Sequence, residues 1–247
     1  MKELITLLII FFTLSFLSCN KPTVVDKSDV SSDSLIAEIE QRLQDKRHLG
    51  KLSRNLKNSR LGRSIDKYKP IIKKYSKRYG FDWRLIVAQI AQESSFKEKA
   101  RSRVGAKGLM QLMPMTAEEI SRELDIKYIM KNPRENITAG IYHLKKQMRY
   151  FPDSKPVDRT RLALASYNAG PGRVFDAQEI ASYHKKSDNK WPIVKPYLGM
   201  LKKSDWELHL QVWPNGQPKY GYFYGSHETT TYVDKIWDTY LIYKKIL

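Results

Sequence analysis

Cysteine is nearly absent. The 247 residues hold one, Cys19, which excludes an internal disulfide and any metal site built from several thiolates. The five histidines, His48, His143, His184, His209 and His227, fall at no metal-ligand spacing, and no His-Glu-x-x-His occurs, so no metal is expected. Gly105 and Gly108 lack the Lys-Ser/Thr ending of a phosphate-cradling loop, and no cofactor is expected. Long apolar runs are scarce too. The one at residues 4–17 is fourteen residues long, short of the roughly 20 that cross a bilayer. Internal repeats are absent. Acidic residues are outnumbered, 26 Asp plus Glu against 44 Lys plus Arg, and the net charge of +18 predicts an anionic partner. Nucleic acid, an acidic membrane surface and the anionic polymers of a cell envelope all satisfy that balance.

The N-terminus supplies an address. Lys2 is a minimal basic n-region, and the apolar run after it has the length of a signal-peptide core. It ends Phe16-Leu17-Ser18-Cys19, a small residue before the lone cysteine, which resembles a bacterial lipobox; Phe16 departs from the usual Leu. The resemblance implies a lipoprotein signal peptide over residues 1–18, a lipidated Cys19 and a membrane anchor. An ordinary secreted chain is the alternative. Export removes nucleic acid from the expected partners. Residues 19–33 are polar and read as a tether. Residues 34–63 form a basic segment, helical at first (Leu35, Ile36, Ile39, Leu43) and then weakly periodic, a partly disordered connection or a surface for anionic polymer or lipid.

From residue 64 onward the pattern is helical. Tyr68, Ile71, Ile72 and Tyr75 share one side of a helix stopped by Gly80. Thr116-Ala117-Glu118-Glu119 reads as a capping box, and Asn132-Pro133 opens a helix with Ile137, Ile141, Leu144 and Met148 in register. Residues 158–167 form a short apolar helix, and Pro171 starts the next at its first turn. Trp206, Leu208, Leu210 and Val212 alternate with polar residues, Pro214-Asn215-Gly216 turns the chain, and Tyr220, Tyr222 and Tyr224 alternate beyond it. That predicts a β-hairpin. A final helix carries Tyr232, Val233, Ile236, Tyr240 and Tyr243. The expected fold is mainly α with one small hairpin near the C-terminus.

Residues 82–114, DWRLIVAQIAQESSFKEKARSRVGAKGLMQLMP, hold the chemistry. Asp82 caps a helix in which Glu93 lies on or beside the stripe of Leu85, Ile86 and Ile90. A carboxylate there is costly unless it is paired or does chemistry. An interfacial Glu paired with a nearby base is one reading. A general acid with a raised pKa is the other.

Glu93-Ser94, the run Gly108-Leu109-Met110-Gln111-Leu112-Met113-Pro114, Ser166-Tyr167-Asn168-Ala169-Gly170, and the ending Lys219-Tyr220-Gly221-Tyr222-Phe223 with Glu228-Thr229 and Tyr232-Val233 resemble, in order, the signatures of the lytic transglycosylase (SLT, goose-lysozyme-like) domain. The resemblance implies a lysozyme-like catalytic domain over 64–247 that acts on peptidoglycan glycan strands. It implies cleavage of the β-1,4 bond after N-acetylmuramic acid, with that sugar's own 6-hydroxyl closing a 1,6-anhydro ring. One carboxyl then serves twice, which explains why Glu98, Glu118 and Glu119 offer no dedicated second acid. By the same resemblance Glu93 is the catalytic residue, and Ser102, Gln111, Met113, Tyr167, Asn168 and Tyr232 bind substrate. Met110 is as well explained by core filling, and packing accounts for at least two of the three hairpin tyrosines. Ser166 replaces the family's usual Ala. With Asn20 after the cysteine, the address implied is the outer membrane facing the periplasm. A hydrolytic muramidase on the same fold and a non-catalytic wall-binding lipoprotein are the competing functions.

Overall fold

The computed structural model describes residues 32–247. The expected signal peptide (1–18), Cys19 and nearly all of the tether lie outside the described residues. The chain falls into two units, Met1–Arg47 and His48–Leu247. Of the first, the described part is the start of helix α1 (Ser32–Asn58). Glu38 and Arg42 pair there at 2.6 Å one turn apart, an exposed contact worth about 0.5 kcal/mol at most.

The second unit begins within α1, so the stretch read as weakly periodic from residue 46 is helical as far as Asn58. Helix α2 (Arg60–Tyr79) follows at a sharp corner. Ser59 caps it, accepting from the Gly62 amide at 3.0 Å, and a Cβ on Gly62 would stand 2.0 Å from the Leu56 carbonyl oxygen. Only glycine closes that corner. Ile65, Tyr68 and Ile72 turn inward, and Gly80 (φ 79°) ends the helix.

Helix α3 (Trp83–Ser94) is the centre. Asp82 caps it, and every residue from 85 to 90 is buried. A helix buried all round belongs to the core rather than the surface. It packs against α2 and along the closing helix α10 (Ser226–Ile246). Between them run α4 (Pro114–Leu124), α5 (Pro133–Arg149), α6 (Pro156–Ala169) and α7 (Pro171–Tyr183). Asn132 caps α5, accepting from the Arg134 amide at 2.9 Å, and α6 packs on α5, α7 and α10. A smaller cluster of Leu112, Ala117, Ile120, Ile129 and Ala139 holds α4 on α5.

Two sequence expectations are corrected. Thr116 does not cap α4. That helix starts at Pro114 with Met113 as the N-cap and no side-chain cap bond, because a proline at the first position needs no amide partner. Glu119 instead pairs with Lys146. The β-hairpin does not form, and no strand occurs among the described residues. Residues read as its first arm are helix α9 (Trp206–Val212), which follows the short α8 (Trp191–Val194) and two 3-10 turns. His209 explains this. It is fully buried, its Nε2 lies 2.8 Å from the Met200 carbonyl, and with Leu208, Val212 and Trp213 it forms a helical face. Counted as polar, it made Leu208 and Leu210 look like strand alternation; Leu210 is 59% exposed. Pro214-Asn215-Gly216 does turn the chain (Gly216 φ 66°). The tyrosine segment beyond it lies against α7, where Asp176 accepts from the Tyr220 amide and Arg173 donates to the Gly221 carbonyl.

Ile86→Ala opens a cavity at the centre of α3 and is expected to cost about 3 kcal/mol, lowering the melting temperature by roughly 6–12 °C. Leu210→Ala, on the open face of α9, should shift stability by no more than about 0.5 kcal/mol. Thermal unfolding followed by circular dichroism measures both.

Candidate active site

Glu93 sits in the last turn of α3, where the all-buried face reaches the surface. Its residue surface is partly exposed, yet its carboxyl is enclosed. The Tyr232 hydroxyl, from α10, donates to Glu93 Oε1 at 2.6 Å. Burial pushes the Glu93 pKa up from 4.5 to about 7, and the Tyr232 hydrogen bond opposes this by favouring the carboxylate. No charge of another residue contributes to the shift. Gln89, one turn earlier and fully buried, donates from Nε2 to the Tyr232 oxygen at 3.3 Å. Gln89, Tyr232 and Glu93 thus form a relay from α3 to α10 and back.

The other acids considered are engaged elsewhere. Glu98 pairs with Lys67 at 2.6 Å, Glu118 with Arg122, and Glu119 with Lys146. Among the described residues no carboxylate is bonded to Glu93. Among the described residues no group of three or more His, Cys, Asp or Glu is placed to hold a metal.

A strained loop follows Glu93. Ser95 (φ 50°) and Phe96 (φ 59°) both take left-handed backbone immediately after α3, and Gln111 (φ 44°) does so further along the loop. Such non-glycine residues are uncommon and persist where neighbouring contacts over-determine them. Those contacts are present. Ser94 Oγ donates to the Leu109 carbonyl at 2.9 Å, tying the end of α3 to the loop. Asn136, buried at the start of α5, accepts from the Met110 amide at 2.8 Å and donates to the Lys107 and Ile129 carbonyls. Gly108 (φ 84°) lies so close that a Cβ there would come within 2.6 Å of the Asn136 amide group. Met110 is fully buried against Gly140, which settles it as core.

The six residues expected to bind substrate divide. Tyr232 touches Glu93 directly. Tyr167, at the end of α6, lies near enough that the Glu93 charge adds to burial in raising its pKa well above 10. Its hydroxyl donates to the Met110 carbonyl at 2.8 Å, not to the carboxyl. Asn168 is exposed; its Oδ1 accepts from Thr229 at 2.7 Å, leaving the amide nitrogen outward. Gln111 spends its amide nitrogen on the Ala100 and Gly108 carbonyls, so it holds the loop. Ser102 accepts from the Ala106 amide at 3.0 Å and closes the tight turn that ends in Gly108. Met113 is 41% exposed beside that loop. Cys19 lies outside the described residues.

Residues that the sequence reading missed are Gln89, Asn136, Thr229 and His143. His143 packs edge-on against Tyr167 with ring centres 4.8 Å apart, and burial, then the Lys146 charge, lowers its pKa to about 4. Gln89 was findable: it is a polar residue inside an apolar run, four before Glu93. Asn136 carries no such signal, because its partners are backbone groups of a loop distant in sequence.

Residues 70–191 match the model of the Transglycosylase SLT domain, and over this stretch the chain belongs to that family. It is 37% identical over 191 residues to membrane-bound lytic murein transglycosylase F of Desulfosudis oleivorans, covering 76% of this chain and 38% of that protein. With the protein of the same name from Pseudomonas putida KT2440 it is 35% identical over 194 residues, 75% of this chain and 37% of the other. The chain therefore spans well under half the length of these curated relatives. A solved structure of an inactive mutant of lytic transglycosylase Slt from Pseudomonas aeruginosa is 30% identical, with a TM-score of 0.46, over 71% of this chain and 24% of that one.

A raised carboxyl pKa costs native stability wherever the unfolded state has already lost the proton. The folded group titrates near 7 and the unfolded one near 4.5, so the cost is absent below pH 4.5 and complete above 7. Glu93→Gln should accordingly be more stable than the parent by up to about 3 kcal/mol at pH 8, and equally stable at pH 4. Urea unfolding at the two pH values reads the difference.

Proposed function

We propose that the domain is a peptidoglycan lytic transglycosylase that cleaves the β-1,4 bond between N-acetylmuramic acid and N-acetylglucosamine. The observation that carries this reading is Glu93: an enclosed carboxyl poised near 7, its shift set by burial with no contribution from another acid among the described residues. A hydrolase of the usual two-carboxylate type needs a second acid about 5–9.5 Å away to act as nucleophile or to hold water. A reaction whose nucleophile belongs to the substrate does not.

In the first step protonated Glu93 gives its proton to the glycosidic oxygen as the bond to the muramic C1 breaks. The 6-hydroxyl oxygen of the same sugar then bonds to C1, and its proton passes to the Glu93 carboxylate. The acid is restored and no water is consumed. Tyr232 steadies the carboxylate between the steps. Tyr167 and the outward amide of Asn168 flank the cleavage point. Ser102 and Gln111 act through the loop they hold, with the Gln111 amide oxygen left for the sugar, and Met113 lines the rim. The lysozyme-like architecture, residues 64–247 as the catalytic domain, and lipidation of Cys19 at the outer membrane belong to the same proposal. They are supported by the family match, by the relatives' description as membrane-bound, and by the sequence of the leader. No described helix is long and apolar enough to cross a membrane.

Digestion of purified cell wall with mass analysis tests the reaction. Disaccharide-peptides lighter by one water than hydrolytic products are expected. Products of full mass would make the protein a muramidase, and no products a binding protein. Glu93→Gln should lower turnover at least a thousandfold, the scale of general acid–base catalysis used in both steps, while wall binding persists. Because the acid must start protonated, kcat/KM should fall as pH rises through about 7.

A further inference from the structure

The described surface carries one long array of charge outside the site. Helix α2 has eight Lys and Arg residues and a single acid, Asp66. Arg60, Arg63 and Lys67, then Lys74, Lys77 and Arg78 two turns further on, lie on its solvent side, opposite buried Ile65, Tyr68 and Ile72. Successive members therefore line one face of a 20-residue helix, about 30 Å long. Lys67 pairs with Glu98; Lys74, Lys77 and Arg78 meet no acid among the described residues. Lys69 and Lys73 instead sit over the Trp83 ring at 5.1 and 4.8 Å, and Lys74 and Arg78 over the rings of Tyr75 and Tyr79. Helix-surface cations ordinarily gain from acids one turn away, and for Lys74, Lys77 and Arg78 no acid stands at those positions within the helix. The end of α1 continues the bias, with exposed Lys51, Arg54 and Lys57.

We infer that this basic face of α2 docks the domain on an anionic lipid surface. A row of exposed cations with its apolar side committed to the core suits electrostatic contact with a plane of headgroups, not insertion. The charge is complementary, and the lipid anchor proposed at Cys19 would hold the N-terminal side of the chain at a membrane. A single acyl chain holds a protein only marginally, and a basic patch is the usual second contribution. The stripe lies opposite buried Ile65, Tyr68 and Ile72, so docking leaves the core undisturbed. The inference rests on the lipid anchor proposed at Cys19 but not on the proposed reaction, and it survives that reaction's failure.

Vesicle co-flotation tests it, using the full chain so that the leader contributes equally to every variant. Vesicles of phosphatidylcholine alone are compared with vesicles containing one-third phosphatidylglycerol. Lys74→Glu with Lys77→Glu should weaken binding to the anionic vesicles at least tenfold and leave binding to neutral ones unchanged. Lys186→Glu with Lys203→Glu, the same charge change at exposed sites elsewhere, should alter it less than about twofold. Melting temperature and activity on soluble glycan fragments should match the parent in both. Equal losses for the two pairs would reduce the effect to net charge and overturn the inference. Binding to isolated glycan strands that depends on Lys74 and Lys77, with no preference for anionic vesicles, would assign the face to the polymer instead.

Discussion

The Glu93 carboxyl lies out of water with one hydrogen bond, from Tyr232, and no cation within pairing reach. Left alone in such surroundings a carboxyl keeps its proton, because ionisation would place an unpaired charge in a low dielectric. The rest of the domain is arranged to maintain that condition. Helix α3 is buried from residue 85 to residue 90 and surfaces at its two ends, with Glu93 in the last turn; α10 packs along it and delivers the tyrosine from the far end of the sequence.

The loop that follows Glu93 is held in shape without regular structure. The segment from Ser95 to Pro114 has only isolated bridges, Arg101 with Lys107 and Lys107 with Leu112. Its rigidity comes from side chains reaching into its backbone: Ser94, Ser102, Gln111 and Asn136 each satisfy loop amides or carbonyls. Several residues that sequence motifs present as ligands for sugar are, in the structure, first of all ligands for this loop. The three left-handed non-glycine residues mark where the loop is forced into shape.

Much of the helical framework was legible because its signals are local. Asp82 and Asn132 cap as read, Gly80 stops α2, and Pro171 starts α7. Glu93 was legible because an acid beside an apolar stripe is conspicuous. Errors arose where a distant contact overrode local pattern. His209 is polar in a list and core in the fold, so a helical face read as strand alternation. Pro114 took the helix start that the spacing of Thr116-Ala117-Glu118-Glu119 predicts two residues later. The Tyr167 hydroxyl went to the Met110 carbonyl, and Asn136 served three loop groups; neither partnership leaves a trace in one sequence.

The central claim is that Glu93 is a carboxyl whose proton is retained by burial alone. The most direct measurement is a carbon-13 carboxyl titration of the folded protein, with the Glu93 resonance assigned by its loss in Glu93→Gln. A midpoint near pH 7 is predicted, rising further when Tyr232→Phe removes the hydrogen bond that favours the charged form. A midpoint near 4.5, the ordinary value for a solvated glutamate, would contradict the account.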